Sequence, residues 1–407
     1  MLAALDEGVK GGKWFSLMDK VYSERNLRAA FDRVKANRGS AGVDRVTVAS
    51  FEAHLDANVA RLHRTLRAGT YRPQAIRRVW IPKPGRDEKR PLGIPTVRDR
   101  VVQTALRNVL EPIFERDFAE HSYGFRPGRG AKDALRRVDT LLRQGHIHVV
   151  DADLRSYFDT IPPDRLMERV RTKVSDGRVL ALLEAYLEAE VLDGAAAWTP
   201  ERGTPQGAVI SPLLSNIYLD PLDHQMAEQG FEMIRYADDF VVVCRSEADA
   251  RRALAVVERW TASAGLALHS EKTRIVDATR KGGFDFLGYH FERGYRWPSD
   301  KSLRKVKDAT RAKTQRTNGH SLQAIITHVN QTLRGWTEYF KHSHRTTFPR
   351  LDGWVRMRLR SILRKRHGGQ GRGMGLDHHR WPNTYFTAQG LFSTLAACEA
   401  ARQSSLR

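Results

Sequence analysis

Residues 233–244, MIRYADDFVVVC, constrain this chain more than any other stretch. An apolar arm runs into Asp238-Asp239, and a second arm, Phe240-Val241-Val242-Val243, runs out of it. The β-branched content and the length of each arm predict two strands joined by a tight turn. Aspartates are common in turns because their carboxylates accept from nearby backbone amides, so a polar hairpin tip is the plain reading. Two adjacent carboxylates facing inward repel each other, and only a metal ion or protonation relieves that. A divalent ion with hard oxygen ligands is the natural solution, given at least one more carboxylate from elsewhere in the chain.

The rest of the composition narrows the partners. At 407 residues the chain is long enough for two or three domains. Lys and Arg number 68 against 47 acidic residues, a net charge of +21, which points to nucleic acid or an anionic membrane surface. No apolar run approaches a transmembrane span and the N-terminus lacks a signal-peptide core, so no membrane role is expected. Cys244 and Cys398 are isolated in sequence, which suggests neither a zinc cluster nor a disulfide framework and fits a reducing cytoplasm. The charge is uneven: residues 296–407 hold 22 Lys and Arg against 6 Asp and Glu, +16 of the total.

Taken in order, residues 13–38 read as a helical region, with Leu17, Val21, Leu27, Phe31 and Val34 at roughly helical spacing. A glycine-punctuated loop at 37–44 and an amphipathic stretch at 51–66 follow. Val79-Trp80-Ile81-Pro82 then enters a basic Pro/Gly turn flanked by Lys83 and Arg90. That turn is either a solvated tip or a lid presenting two cations to nucleotide phosphates. Residues 98–118 and 131–143 read as helices. Between them, Ser122-Tyr123-Gly124-Phe125-Arg126-Pro127-Gly128-Arg129-Gly130 mixes cations, glycines and two aromatics, as a loop touching a nucleic-acid backbone and stacked bases would.

Residues 147–159 form a strand running into a turn and offer Asp151, Asp153 and Asp159 as the further carboxylate; spacing alone does not choose among them. A break at Gly203-Thr204-Pro205-Gln206-Gly207 precedes a helix starting near Ser211-Pro212. Beyond the aspartate hairpin come a helix over 248–264 and Lys272 in a polar turn. Past Trp297 the pattern is helical. Leu322, Ile325, Ile326, Val329, Leu333, Trp336 and Phe340 make one stripe, read as core. Residues 356–366 read as a basic helix with a packed side, and His378-His379 as surface or RNA-contacting.

The ordered set SAGVD, RPLGIPTVRDRVVQTAL, SYGFRPGRGAKDAL, VVDADLRSYFDTI, GTPQGAVISPLLSNIYLD, RYADDFVVV, GLALHSEKT and FDFLGYHF resembles a group II intron-encoded reverse transcriptase. The resemblance implies an α/β (α+β) right-hand polymerase, with fingers and a palm built on an antiparallel sheet over residues 1–295. An α-helical thumb or maturase domain would follow over 296–375, around LRGWTEYF and the basic helices, and 376–407 would be a short C-terminal, DNA-binding tail.

The same resemblance implies roles. Asp153, five residues before Phe158, matches the first catalytic carboxylate, and Asp238 and Asp239 match the YxDD pair. With the Leu154 carbonyl they would hold two Mg²⁺ ions. Lys83 and Arg90 fit the triphosphate-gripping pair, Phe158 the gate against a ribose 2′-hydroxyl, and Gln206 a nucleotide contact. Lys272 fits the residue that protonates pyrophosphate, and Phe286-Leu287-Gly288 the primer grip. Arg126, Arg129, Arg356, Arg358, Arg360 and Arg364 are the expected RNA contacts.

Arg45 stands where the family usually has glycine in GVDG, and Ala208 where a second glycine often follows PQG. No Cys/His cluster follows the basic helices, so the expectation is the endonuclease-lacking branch. The implied activity is copying of intron RNA into cDNA, with splicing assistance. Its partners would be group II intron RNA, an RNA template with a DNA primer, dNTPs and target DNA. A splicing-only RNA-binding maturase, or a reverse transcriptase recruited to phage defence or targeted mutagenesis, is the alternative.

Overall fold

The computed structural model describes residues 9, 12–82, 89–194, 196–200, 202–204 and 207–404. The chain divides into two compact units, Met1–Ile275 and Val276–Arg407.

The first unit opens with a short helix, Met18–Val21, and then α1, Glu24–Ala36. One continuous helix does not form, because Ser23 intervenes and caps α1 by accepting from the Asn26 amide. Leu27, Ala30, Phe31 and Val34 of α1 are buried at i, i+3, i+4 and i+7. The amphipathic stretch after it is likewise two helices, Val48–Ala53 and α2, Leu55–Ala68, broken at His54. β1, Ile76–Pro82, pairs antiparallel with β2, Lys89–Ile94. Next come α3, Val97–Glu115, and α4, Ala131–Arg143, then β3, His148–Asp153, and one turn of helix, α5, Tyr157–Thr160.

Two short strands, β4 at Val191–Asp193 and β5 at Ala196–Trp198, then rejoin the first hairpin, β4 lying parallel to β1. The resulting sheet has the order β2-β1-β4-β5. After α6, Ser211–Glu228, come β6, Glu232–Tyr236, and β7, Asp239–Cys244. α7, Glu247–Ser263, and β8, Arg274–Asp277, complete a second sheet in the order β6-β7-β3-β8. Strand residues alternate faces. Met233, Phe240, Val242, Val150 and Ala152 turn to one side and join an apolar core with α1, α2, α3, α6 and α7. That core makes the second sheet a fixed platform for whatever its other face carries.

The second unit begins with the antiparallel strands β9, Phe284–Phe286, β10, Tyr289–Glu292, and β11, Tyr295–Pro298. Its helices include α8, Asp300–Lys313, α9, Leu322–Phe340, and α10, Thr347–Arg366. The stripe on α9 is core, as its period implies: Ile325, Ile326, Val329 and Leu333 pack with Leu351, Val355, Leu359 and Ile362 of α10. Trp381 and Phe386 close the same cluster. Among the described residues no helix is long and apolar enough to cross a membrane.

Candidate active site

Tyr236 pairs with Asp239 across β6 and β7, so the hairpin turn consists of Ala237 and Asp238 alone. Ala237 takes φ +60°, a conformation that two-residue hairpins demand and that glycine supplies most easily. On the other side of β7, Asp153 stands directly opposite Asp239. Tyr236, Asp239 and Asp153 therefore form one row across three strands, on the face away from the core. This register separates the three aspartates of residues 147–159. Asp151 lies opposite Val241, one row back, and pairs with Arg274 at 3.4 Å, while Asp159 belongs to α5.

Beneath the turn sits Arg235, fully buried. Its five N–H groups all find acceptors. Nε donates to Asp223 Oδ1 at 2.8 Å, and Nη2 donates to Asp223 Oδ2 and to Ser122 Oγ. Nη1 donates to Asn216 Oδ1 at 2.9 Å and to the Ala237 carbonyl at 2.8 Å. Asn216 and Asp223 are seven residues apart on α6, two turns, which puts both on the face beside the hairpin. Sequence reading missed Arg235. An Arg directly after the apolar Met233-Ile234, three residues before an aspartate pair, was the available signal.

Burial, and then the charge of Asp153, pushes the Asp238 carboxyl above its usual range. Lys272 Nζ pairs with Asp153. The Leu154–Leu268 bridge is hydrogen-bonded by the flanking residues, Arg155 N to Ala267 O and His269 N to Asp153 O, both at 2.8 Å. The Leu154 carbonyl is thus not used in the bridge. Among the described residues no three His, Cys, Asp or Glu side chains stand at metal-ligating spacing, and Asp153 is paired with Lys272. The donor set is nonetheless hard oxygen at one end of the sheet, which suits a hard divalent cation.

Phe158 lies on α5, half-buried, its ring 5.5 Å from that of Tyr157. Its carbonyl accepts from the Thr204 amide at 2.6 Å, and a Cβ on Gly203 would come 2.6 Å from the same oxygen. Arg90 is exposed on β2 opposite Ile81. Lys83 and Gln206 lie outside the described residues. Leu287 and Gly288 join β9 to β10 with φ +48° and +82°, positive at both turn positions as a type I′ hairpin requires. The Leu287 carbonyl accepts from Tyr339 Oη and the Gly288 carbonyl from Ser302 Oγ.

The arginines expected to touch RNA divide. Arg126 is buried, paired with Glu115 and donating to the Ala119 and Ser122 carbonyls. Arg360 is buried too, donating to the Trp381 carbonyl and Asn383 Oδ1. These two are corrected to structural residues, since a guanidinium enclosed by its own chain cannot reach a phosphate. Arg358 is tied to Thr314, and Arg364 to Asp377 at 2.8 Å. Positions 356, 360 and 364 are one stripe at i, i+4 and i+8, and two of these arginines grip the segment that follows α10. Arg129 and Arg356 are half-buried.

Three carboxylates at one end of a four-stranded sheet are the donor set that a metal-assisted nucleotidyl-transfer class of site needs. The family models agree: residues 81–291 match the reverse transcriptase (RNA-dependent DNA polymerase) family, and residues 303–381 match the group II intron maturase-specific domain. The chain belongs to the reverse transcriptase family and carries a group II intron maturase domain. Among its relatives, protein YkfC of Escherichia coli is 36% identical over 294 residues, 62% of this chain and 76% of that protein. The group II intron-encoded protein LtrA of Lactococcus lactis is 35% identical over 198 residues, 48% of this chain. The matched part spans about a third of LtrA, 32% of its length. The putative COX1/OXI3 intron 1 protein of Saccharomyces cerevisiae is 24% identical across 88% of this chain and 49% of its own.

Proposed function

We propose that this protein is an RNA-directed DNA polymerase of a group II intron, one that copies intron RNA into DNA and binds that RNA to assist splicing. The observation that carries the reading is Asp153 standing opposite Asp239 with Asp238 in the adjoining turn. Residues 1–295 would act as fingers and palm, 296–375 as thumb and maturase region, and 376–407 as a tail toward target DNA. The cofactor is a divalent metal, and Asp153, Asp238, Asp239 and the Leu154 carbonyl would hold it as two Mg²⁺ ions. Such ions lower the pKa of an attacking hydroxyl and neutralise charge on the departing group.

The chain's own residues do the rest. Arg235 holds the turn so that both aspartates are aligned before substrate arrives. Phe158 would block a ribose 2′-hydroxyl and so select dNTPs. Arg90, with Lys83 and Gln206, would bind the triphosphate. Lys272, paired with Asp153 in the free protein, would give its proton to the leaving pyrophosphate.

The test is extension of an end-labelled DNA primer on an RNA template by wild type and Asp239→Asn. Extension by wild type, reduced to background in the variant with RNA affinity unchanged, is the expected result. A wild type that binds intron RNA and promotes splicing without extending the primer would instead identify a splicing-only maturase.

A further inference from the structure

Phe125 is 44% exposed and belongs to neither large core. Its backbone nevertheless takes φ +59°, which costs an aromatic residue free energy while leaving it exposed. The loop that holds it there is built in from several sides. Asn216 Nδ2 donates to the Gly124 carbonyl at 2.8 Å, and the Tyr123 amide donates to the Arg235 carbonyl at 2.8 Å. A Cβ on Gly124 would lie 2.1 Å from the Ala237 nitrogen, so the loop rests directly on the catalytic turn. Buried Arg126 ties its far side to Glu115. A strained, exposed ring on so firm a mount is presented to something.

Its position says to what. The Phe125 ring is centred 6.5 Å from that of Tyr236, and Tyr236 begins the row that continues through Asp239 and Asp153. The Tyr236 ring bridges the 6.5 Å to Phe125, and one strand spacing of roughly 4.8 Å separates Tyr236 from Asp239, which puts the ring on the order of 10 Å from Asp239. That is roughly three base-pair rises of about 3.4 Å. A strand whose 3′-hydroxyl meets the aspartates would run past this ring. We propose that Phe125 is a contact for the primer strand, packing against a base or sugar within three nucleotides of the 3′ end. The inference rests on the polymerase reading above.

The experiment replaces Phe125 with photoreactive p-benzoylphenylalanine, which keeps the aromatic ring, and irradiates the protein on a template–primer labelled in either strand. The expected crosslink falls on the primer, within three nucleotides of its 3′ end. Alongside, Phe125→Ala should raise KM for template–primer about tenfold with kcat and the dNTP KM within twofold, and Phe125→Trp should restore it. Should the alanine variant not fold, the crosslink decides. Protein that extends the primer yet crosslinks only the template, or nothing, overturns this contact alone. Protein that extends no primer overturns the polymerase reading and the contact with it.

Discussion

Arg235 and Ala237 are joined by a 2.8 Å hydrogen bond from a fully buried guanidinium to the carbonyl of a strained turn residue. A left-handed backbone costs a non-glycine residue roughly 1–2 kcal/mol. A hydrogen bond from a charged donor contributes about 1.5–3 kcal/mol. The bond is therefore enough to hold the turn. Because the same guanidinium also holds α6 through Asp223 and Asn216 and the loop at Ser122, the position of Asp238 and Asp239 is set by the core.

This network predicts unequal losses. Asp223→Ala leaves a buried cation unpaired and should cost about 3–5 kcal/mol in urea denaturation. Ser122→Ala removes one of five acceptors and should cost about 1 kcal/mol. Equal costs would mean that Arg235 does not depend on its carboxylate.

The raised pKa of Asp238 gives a second expectation, with its sign fixed. A folded carboxyl that holds its proton more tightly than the unfolded one loses stability as pH rises through its folded pKa. At neutral pH the ionised Asp238 thus opposes folding. Asp238→Asn should melt above wild type at neutral pH, converge with it on acidification, and extend primers only at background. Added Mg²⁺ should raise the melting temperature of wild type more than that of the variant. Calorimetry across mildly acidic to neutral pH, with and without Mg²⁺, measures both effects.

The hairpin, its strands and the α9 stripe were legible because each is a local pattern with its own period. The pairing of Asp153 with Asp239 was legible only as motif order, since register depends on a strand more than eighty residues away. The β4–β5 addition to the first sheet escaped for the same reason, being two three-residue strands without alternation. The arginines were misread through charge counting. Arg126 looks exposed in sequence and is buried because Glu115, eleven residues earlier, meets it across a turn. Composition reports how many cations a segment has and not which of them the fold has already engaged.

Arg45, the departure from GVDG, sits at φ +59° and is exposed. The family glycine is thus explained by backbone geometry at this position. Arg45→Gly should stabilise the protein by about 0.5–1 kcal/mol, the relieved strain less the added freedom of the unfolded chain. Thermal melting checks it, and primer extension should not change.

Salt dependence separates the exposed cations from the enclosed ones. Lys301, Arg304, Lys305 and Lys365 are exposed on α8 and α10. Their joint replacement by Gln should flatten the log–log salt slope of RNA binding, by roughly 0.7–0.9 for each phosphate that is no longer neutralised. Arg360→Gln should leave the slope alone and lower the melting temperature, since that guanidinium holds the Trp381 carbonyl. Filter binding over a salt series reads the first, and a melting curve the second.

The proposed gate offers a two-sided test. Phe158 is held from outside its own helix: the Thr204 amide donates to its carbonyl, and Gly203, at φ +94°, leaves no room for a Cβ beside that oxygen. Removing the ring and moving it should have different consequences. Phe158→Ala opens the space beside the sugar, so ribonucleotide incorporation should rise at least tenfold relative to dNTP, because the selection is repulsive. Gly203→Ala keeps the ring but forces α5 to shift, so dNTP incorporation itself should fall, several-fold or more, with a smaller gain for ribonucleotides. Single-nucleotide incorporation with matched rNTP and dNTP reads both variants. An unchanged ratio in Phe158→Ala would make the ring a packing residue. A normal dNTP rate in Gly203→Ala would mean that α5 is not held by this loop.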